Sequence, residues 1–147
     1  MLVKEIMTKN VVTVGLKMSV HELAELFVSK NISGAPVIND QGKLVGVALE
    51  EGVIFQDKKV HLPTFMHIAM GFLTFGVKRF EDEVKKTTAT KVEDIIEKNM
   101  VVLSADTSVE DAATLMLEKE TYYCPVVKED KLIGIVTKKD IVKAIAK

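Results

Sequence analysis

The chain has 147 residues, 48% of them hydrophobic and 28% charged, with a formal net charge of −1. That length holds one ordinary domain or two small units sharing a core, and the composition is that of a folded globule and not a disordered tail. Near-neutral charge and a lone arginine, Arg79, exclude the basic field that would gather nucleic acid.

The first ten residues, MLVKEIMTKN, lack the apolar core of a signal peptide, so a soluble cytoplasmic protein is expected. Residues 3–9 read as a short helical turn and residues 11–14 as a β-branched strand. Val20, Leu23, Ala24 and Phe27 recur at helical spacing and give one buried stripe, with Ser19-x-x-Glu22 as its start signal. A second strand begins at Pro36, since proline is tolerated at a strand's first residue. Asn39-Asp40-Gln41-Gly42 is a turn, the hairpin returns over residues 43–49, and a helix closes the unit.

From about residue 57 to 90 the pattern changes. Pro63 opens a helix in which Phe65, Met66, Ile68, Ala69, Met70, Phe72, Leu73 and Phe75 leave almost no polar face. A second helix sets Val77, Phe80 and Val84 against Lys78, Glu81, Asp82 and Lys85. The apolar run is too short to span a bilayer, so it is expected to be buried on its own domain or paired with a partner, without membrane insertion.

The first pattern then returns. Residues 92–98 form a helical turn for which Thr90-x-x-Glu93 is the capping signal, and residues 100–103 form a strand. Val109, Ala112, Ala113 and Met116 make the next buried stripe behind Thr107-x-x-Glu110. A second strand is expected to begin at Pro125, and the only cysteine, Cys124, just before it among Tyr122, Tyr123 and Pro125, reads as a packed thiol of a reducing compartment, with no disulfide available. Lys128-Glu129-Asp130 is the turn, and residues 131–137 are the returning strand. That strand runs out through Gly134-Ile135-Val136-Thr137-Lys138-Lys139-Asp140 into a helix. Thr137-x-x-Asp140 is a capping box. A helix start with free N–H groups is also an anion site, where a hydroxyl and a carboxylate can hold a phosphate and a sugar diol.

Residues 3–55 and 92–143 therefore align as two copies of β-α-β-β-α. Met7-Thr8-Lys9-Asn10 faces Ile96-Glu97-Lys98-Asn99, and Ser19-Val20 faces Ser108-Val109. Ala35-Pro36-Val37-Ile38 faces Cys124-Pro125-Val126-Val127, and Lys43-Leu44-Val45-Gly46 faces Lys131-Leu132-Ile133-Gly134. Roughly a quarter to a third of the positions are identical and register is kept throughout, as an internal repeat requires. A three-stranded sheet with helices on one face buries little by itself, so the copies are expected to pack together.

Repeated Pro-Val-Val/Ile, Lys-Leu-Val/Ile-Gly and Gly-x-x-Thr-x-x-Asp signatures resemble a tandem cystathionine-β-synthase (CBS) domain pair, over nearly the whole chain apart from the insert. The resemblance implies an α+β fold of two β-α-β-β-α repeats packed as a pseudo-two-fold pair, with repeat 1 over residues 1–56, a helical insert over 57–90 and repeat 2 over 91–147. It implies a regulatory module with no catalytic residues and no cofactor, whose effector is an adenosine nucleotide or S-adenosylmethionine bound between the repeats. Discs of this kind pair in the family through helical faces, so a homodimer is expected, with a regulated enzyme or transporter as a further partner. Carried over position by position, Thr137 and Asp140 take phosphate and ribose, and Lys138 adds positive potential. Thr8, Val11 and Val12 face them. Ile32, Ser33, Gly34, Ala35 and Pro36 line the base. A carboxylate accepting ribose hydroxyls makes charge-assisted hydrogen bonds of about 1.5–3 kcal/mol each.

The reciprocal site departs from the pattern. Gly46-Val47-Ala48-Leu49-Glu50-Glu51-Gly52 has Leu49 for the threonine and Gly52 for the aspartate, glutamates replace both lysines, and Glu97 replaces Thr8. One competent site per chain is therefore expected. No phosphate-binding loop, dinucleotide turn, zinc-protease helix or nucleophile elbow occurs. His21, His61, His67 and one thiol make no recognisable metal set. The alternative to a sensor is a dimerisation scaffold whose degenerate clefts bind nothing.

Overall fold

The computed structural model describes residues 1–54 and 90–147. The expected helical insert, with His61, His67 and its apolar run, lies outside the described residues.

Each repeat builds one three-stranded sheet. In repeat 1 a short helix α1 (Val3–Ile6) precedes β1 (Val14–Gly15), α2 (Val20–Lys30), β2 (Gly34–Ile38) and β3 (Leu44–Leu49). Residues 50–54 are helical. Repeat 2 gives α3 (Val92–Ile95), β4 (Leu103–Ser104), α4 (Val109–Glu118), β5 (Tyr123–Lys128), β6 (Lys131–Thr137) and α5 (Lys138–Ala146). The strand orders are β1-β2-β3 and β4-β5-β6, parallel across the first pair and antiparallel across the second. Among the described residues no helix is long and apolar enough to cross a membrane.

The helical stripes land where periodicity places them, with Leu23 and Phe27 buried on α2 and Val109, Ala112 and Met116 on α4. Ser19 caps α2 by accepting from Glu22 N–H at 3.1 Å. Two start signals fall one residue late. Ser108, not Thr107, caps α4, and Lys91 with Asp94, not Thr90 with Glu93, frames α3.

Both prolines sit third in their strands, inside the sheets and not at a strand's start. The main chain explains why this is tolerated. Pro36 stands opposite Val47, and Pro125 opposite Ile135. Val47 spends its own N–H and carbonyl on Glu97 (3.0 and 2.9 Å), and Ile135 spends both on Thr8 (3.0 and 2.8 Å). Each proline thus faces a residue whose hydrogen bonds point away from it. On its other side the pairing with β1 begins only at Val37, and that with β4 only at Val126, so no ladder bond is lost.

Those bonds also reveal how the repeats join: each opening helix belongs to the other repeat's core. Val3 packs with Leu103, Val109, Val136 and Ile141, while Val92 packs with Val14, Leu23, Phe27 and Val37. Backbone bonds fix the exchange, from Val3 N–H to Thr107 carbonyl and from Val92 N–H to Met18 carbonyl, both at 2.8 Å. The expected strand at 11–14 shrinks to Val14–Gly15 because the chain must cross between sheets after Thr8. Two ion pairs mark the junctions, Lys4 to Asp106 at 2.9 Å and Lys17 to Glu93 at 3.0 Å. Lys4 and Glu93 are equivalent positions, as are Lys17 and Asp106. An opening helix folded onto its own repeat would set Lys4 on Lys17 and Glu93 on Asp106.

Candidate functional site

The end of β6 and the start of α5 carry the strongest signal. Asp140 Oδ2 accepts from both the backbone N–H of Thr137 (2.8 Å) and its hydroxyl (3.0 Å). The capping box therefore forms, with the threonine hydroxyl acting as donor. That differs from Ser19 and Ser108, whose hydroxyls accept from their helices. Among the described residues, Asp140 Oδ1 takes no donor. Lys138 N–H donates to Tyr122 carbonyl at 3.2 Å. What remains is a half-buried carboxylate with one open oxygen beside N–H groups at the positive end of a helix. A diol can donate to the first and an anion can accept from the second.

Thr8 comes to this place from the opposite end of the chain. Its N–H and carbonyl exchange bonds with Ile135, two residues before Thr137. The crossing passes over Gly134, where an added Cβ would lie 2.6 Å from Met7 Sδ and 2.9 Å from Thr8 carbonyl oxygen. Glycine is required there for close approach, and Gly46 serves the crossing of Ile96 and Glu97 in the same way.

The other expected residues divide. Gly34 is buried against the ring of Tyr123, with an added Cβ only 2.9 Å from Tyr123 Cδ2, and Tyr123 is the cross-strand partner of Thr137. Gly34 thus reaches the site through one tyrosine. Ala35 belongs to the core of repeat 1 and Pro36 is fully buried. Ile32 packs on the same core, while Ser33 is exposed and its carbonyl accepts from Glu50 N–H at 3.1 Å. Val11 and Val12 are half-buried, and Val11 N–H donates to Lys9 carbonyl. Lys138 holds its ammonium 5.4 Å from the centre of the Tyr122 ring.

Tyr122 and Tyr123 are the residues that sequence reasoning missed. Their signal was present, since Thr121 to Cys124 are the repeat-2 counterparts of Ile32 to Ala35. Burial pushes the Tyr123 hydroxyl well above the ordinary tyrosine range, so it stays neutral.

At the reciprocal place Gly52 stands where Asp140 stands in repeat 2, and an added Cβ would meet Ile95 carbonyl oxygen at 3.1 Å. A carboxylate there would face a carbonyl, and glutamates (Glu50, Glu51 and Glu97) stand at the positions equivalent to Lys138, Lys139 and Thr8. No cluster among the described residues is fit to hold a metal ion.

Comparison with known proteins agrees with the repeat. The CBS domain profile matches residues 3–55 and 92–147. The uncharacterized protein MJ1426 of Methanocaldococcus jannaschii is 34% identical over 154 residues, covering 99% of this chain and 91% of that protein. The inosine-5′-monophosphate dehydrogenase of the same organism is 30% identical over 140 residues, but the match spans only 22% of the enzyme's length. Among solved structures, the complex of CBSX2 with AMP superimposes with a TM-score of 0.74 at 30% identity, covering 99% of this chain and 96% of that one.

Proposed function

Because the chain belongs to the CBS domain family, we propose that it is a regulatory module that senses an adenosine derivative. The effector is an adenine nucleotide or S-adenosylmethionine, and its bound state is passed on through a homodimer or a partner enzyme or transporter. The observation that carries this reading is the bond between Thr8 and Ile135, which sets repeat 1's opening segment beside Thr137 and Asp140. Asp140 Oδ1 takes the ribose hydroxyls, and the first turn of α5 with Lys138 and Lys139 faces the phosphate. Thr8, Val11 and Val12 form the opposing wall. Ile32, Ser33 and Gly34 contribute to the base slot beside Tyr122 and Tyr123, with Ala35 and Pro36 supporting it from the core. The AMP complex of CBSX2 supports the ligand class. The small share of the dehydrogenase that the chain matches supports an accessory role over a catalytic one.

Ligand and site close a link between repeats. A bound effector touches residues of both, and any change in their separation is felt by the exchanged helices α1 and α3. Calorimetric titration with AMP, ADP, ATP and S-adenosylmethionine tests the reading. Saturable binding of at least one, at one site per chain, is expected; no binding of any at millimolar concentration overturns it.

A dimerisation scaffold is the second reading. It is favoured by the reciprocal place, where Gly52 and three glutamates leave nothing to hold an anion.

A further inference from the structure

The start of α5 breaks a rule that its counterpart in repeat 1 obeys. Lys138 and Lys139 are the first two residues of α5, directly behind the capping threonine. Aligned amide dipoles make that end of a helix positive, so cations there are repelled and anions are held. Glu50 and Glu51 open the equivalent helix and conform. The fold therefore does not require cations at this place, and residues set against a local rule mark function. Among the described residues neither lysine has an ion-pair partner, nor has Lys9, which follows Thr8 on the opposing wall. Asp140, the carboxylate of the same turn, commits Oδ2 to Thr137.

Lys138 is held in another way. Its N–H donates to Tyr122 carbonyl at 3.2 Å, and its ammonium lies 5.4 Å from the centre of the Tyr122 ring. An aromatic face steadies an ammonium but leaves its charge uncancelled, whereas a carboxylate would neutralise it. Tyr122 is 46% exposed, so an incoming group can reach the pair.

We propose that the site reads the charge at the 5′ end of its effector, taking adenosine that carries a phosphate and rejecting S-adenosylmethionine. Lys138 and Lys139 are the discriminating groups, and Tyr122 positions Lys138. The inference rests on the adenosine-sensing reading above and narrows it. A nucleoside phosphate brings negative charge to that end, whereas S-adenosylmethionine carries a sulfonium cation on the 5′ carbon. Two uncancelled ammonium groups attract the first and repel the second, and specificity draws on both.

Calorimetric titration of the full chain with AMP, adenosine and S-adenosylmethionine tests the proposal. AMP should bind about tenfold or more tightly than adenosine, and S-adenosylmethionine more weakly than adenosine. The preference for AMP should shrink as salt rises, while adenosine binding stays level. Lys138→Glu with Lys139→Glu should abolish that preference and leave adenosine binding as it was. The urea midpoint of this variant should not fall, because the helix end exchanges misplaced cations for favourable anions; lost AMP affinity would then not reflect misfolding. Tyr122→Leu should lower the AMP preference several-fold, and Tyr122→Phe should retain it. S-adenosylmethionine bound as tightly as AMP, an AMP preference that survives the double reversal, or a midpoint lowered by that reversal overturns the proposal and leaves sensing in place. Full preference in Tyr122→Leu overturns the positioning role. Failure of all three ligands to bind removes sensing and this selectivity together.

Discussion

At Asp140 one carboxylate does two things that can be measured separately. Oδ2 closes the capping box on Thr137, and Oδ1 faces outward. Asp140→Ala should lower stability by about 1 kcal/mol through the lost cap, read in urea denaturation. It should weaken adenosine-ligand binding by about tenfold or more, read by calorimetry under conditions where the variant remains folded. Unchanged affinity would move the ligand elsewhere. Gly134 makes a purely steric counterpart. Gly134→Ala must displace Met7 and the Thr8 main chain, and should cost about 1–3 kcal/mol in the same denaturation experiment. Gly15→Ala, with open space around its added Cβ, is the control for which no clash is expected. Cys124 is buried, and burial pushes its thiol up to about 11. At pH 8 a disulfide reagent should leave the folded chain unmodified and titrate one thiol once urea unfolds it; fast labelling of the native protein would show that the β5 strand opens.

Among the elements, the hairpin of repeat 2 holds a correctable strain. Glu129 and Asp130 both adopt positive φ, 50° and 62°, a conformation that favours asparagine and glycine. Glu129→Asn with Asp130→Gly should stabilise the fold by about 1 kcal/mol, seen as a higher denaturation midpoint with an unchanged slope. The stripes of α2 and α4, both hairpins and the capping box of α5 were legible because each is written in residues within a few positions of one another. Start signals slipped by a residue where two candidates adjoin, as at Thr107 and Ser108. The prolines were misplaced because a strand's tolerance for proline depends on which neighbour its partner bonds. Here that neighbour is Thr8 or Glu97, remote in sequence from Pro125 and Pro36. The same remoteness concealed Tyr122 and Tyr123, which enter the site through partners chosen by the sheet.

For the molecule as a whole, the exchange of opening helices is the feature that repeat alignment could not supply, since both pairings satisfy the same apolar pattern. Charge separates them. Exposed pairs such as Lys4 with Asp106 contribute little to stability, but folding each helix onto its own repeat would replace two attractions with two repulsions. A consequence follows for truncation. Residues 1–7 lie in repeat 1 by sequence, yet Val3 is fully buried among Leu103, Val109, Val136 and Ile141 of repeat 2. Their removal should strip hydrogen-exchange protection from β4, β5, β6 and α5 first, while β2 and β3, packed around Val92, keep theirs longer. Ligand binding should be lost together with that protection, because Thr8 would no longer be held against Ile135. If protection vanished first from repeat 1, the helices would not be exchanged in solution, and the meeting of Thr8 with Asp140 would have no structural basis.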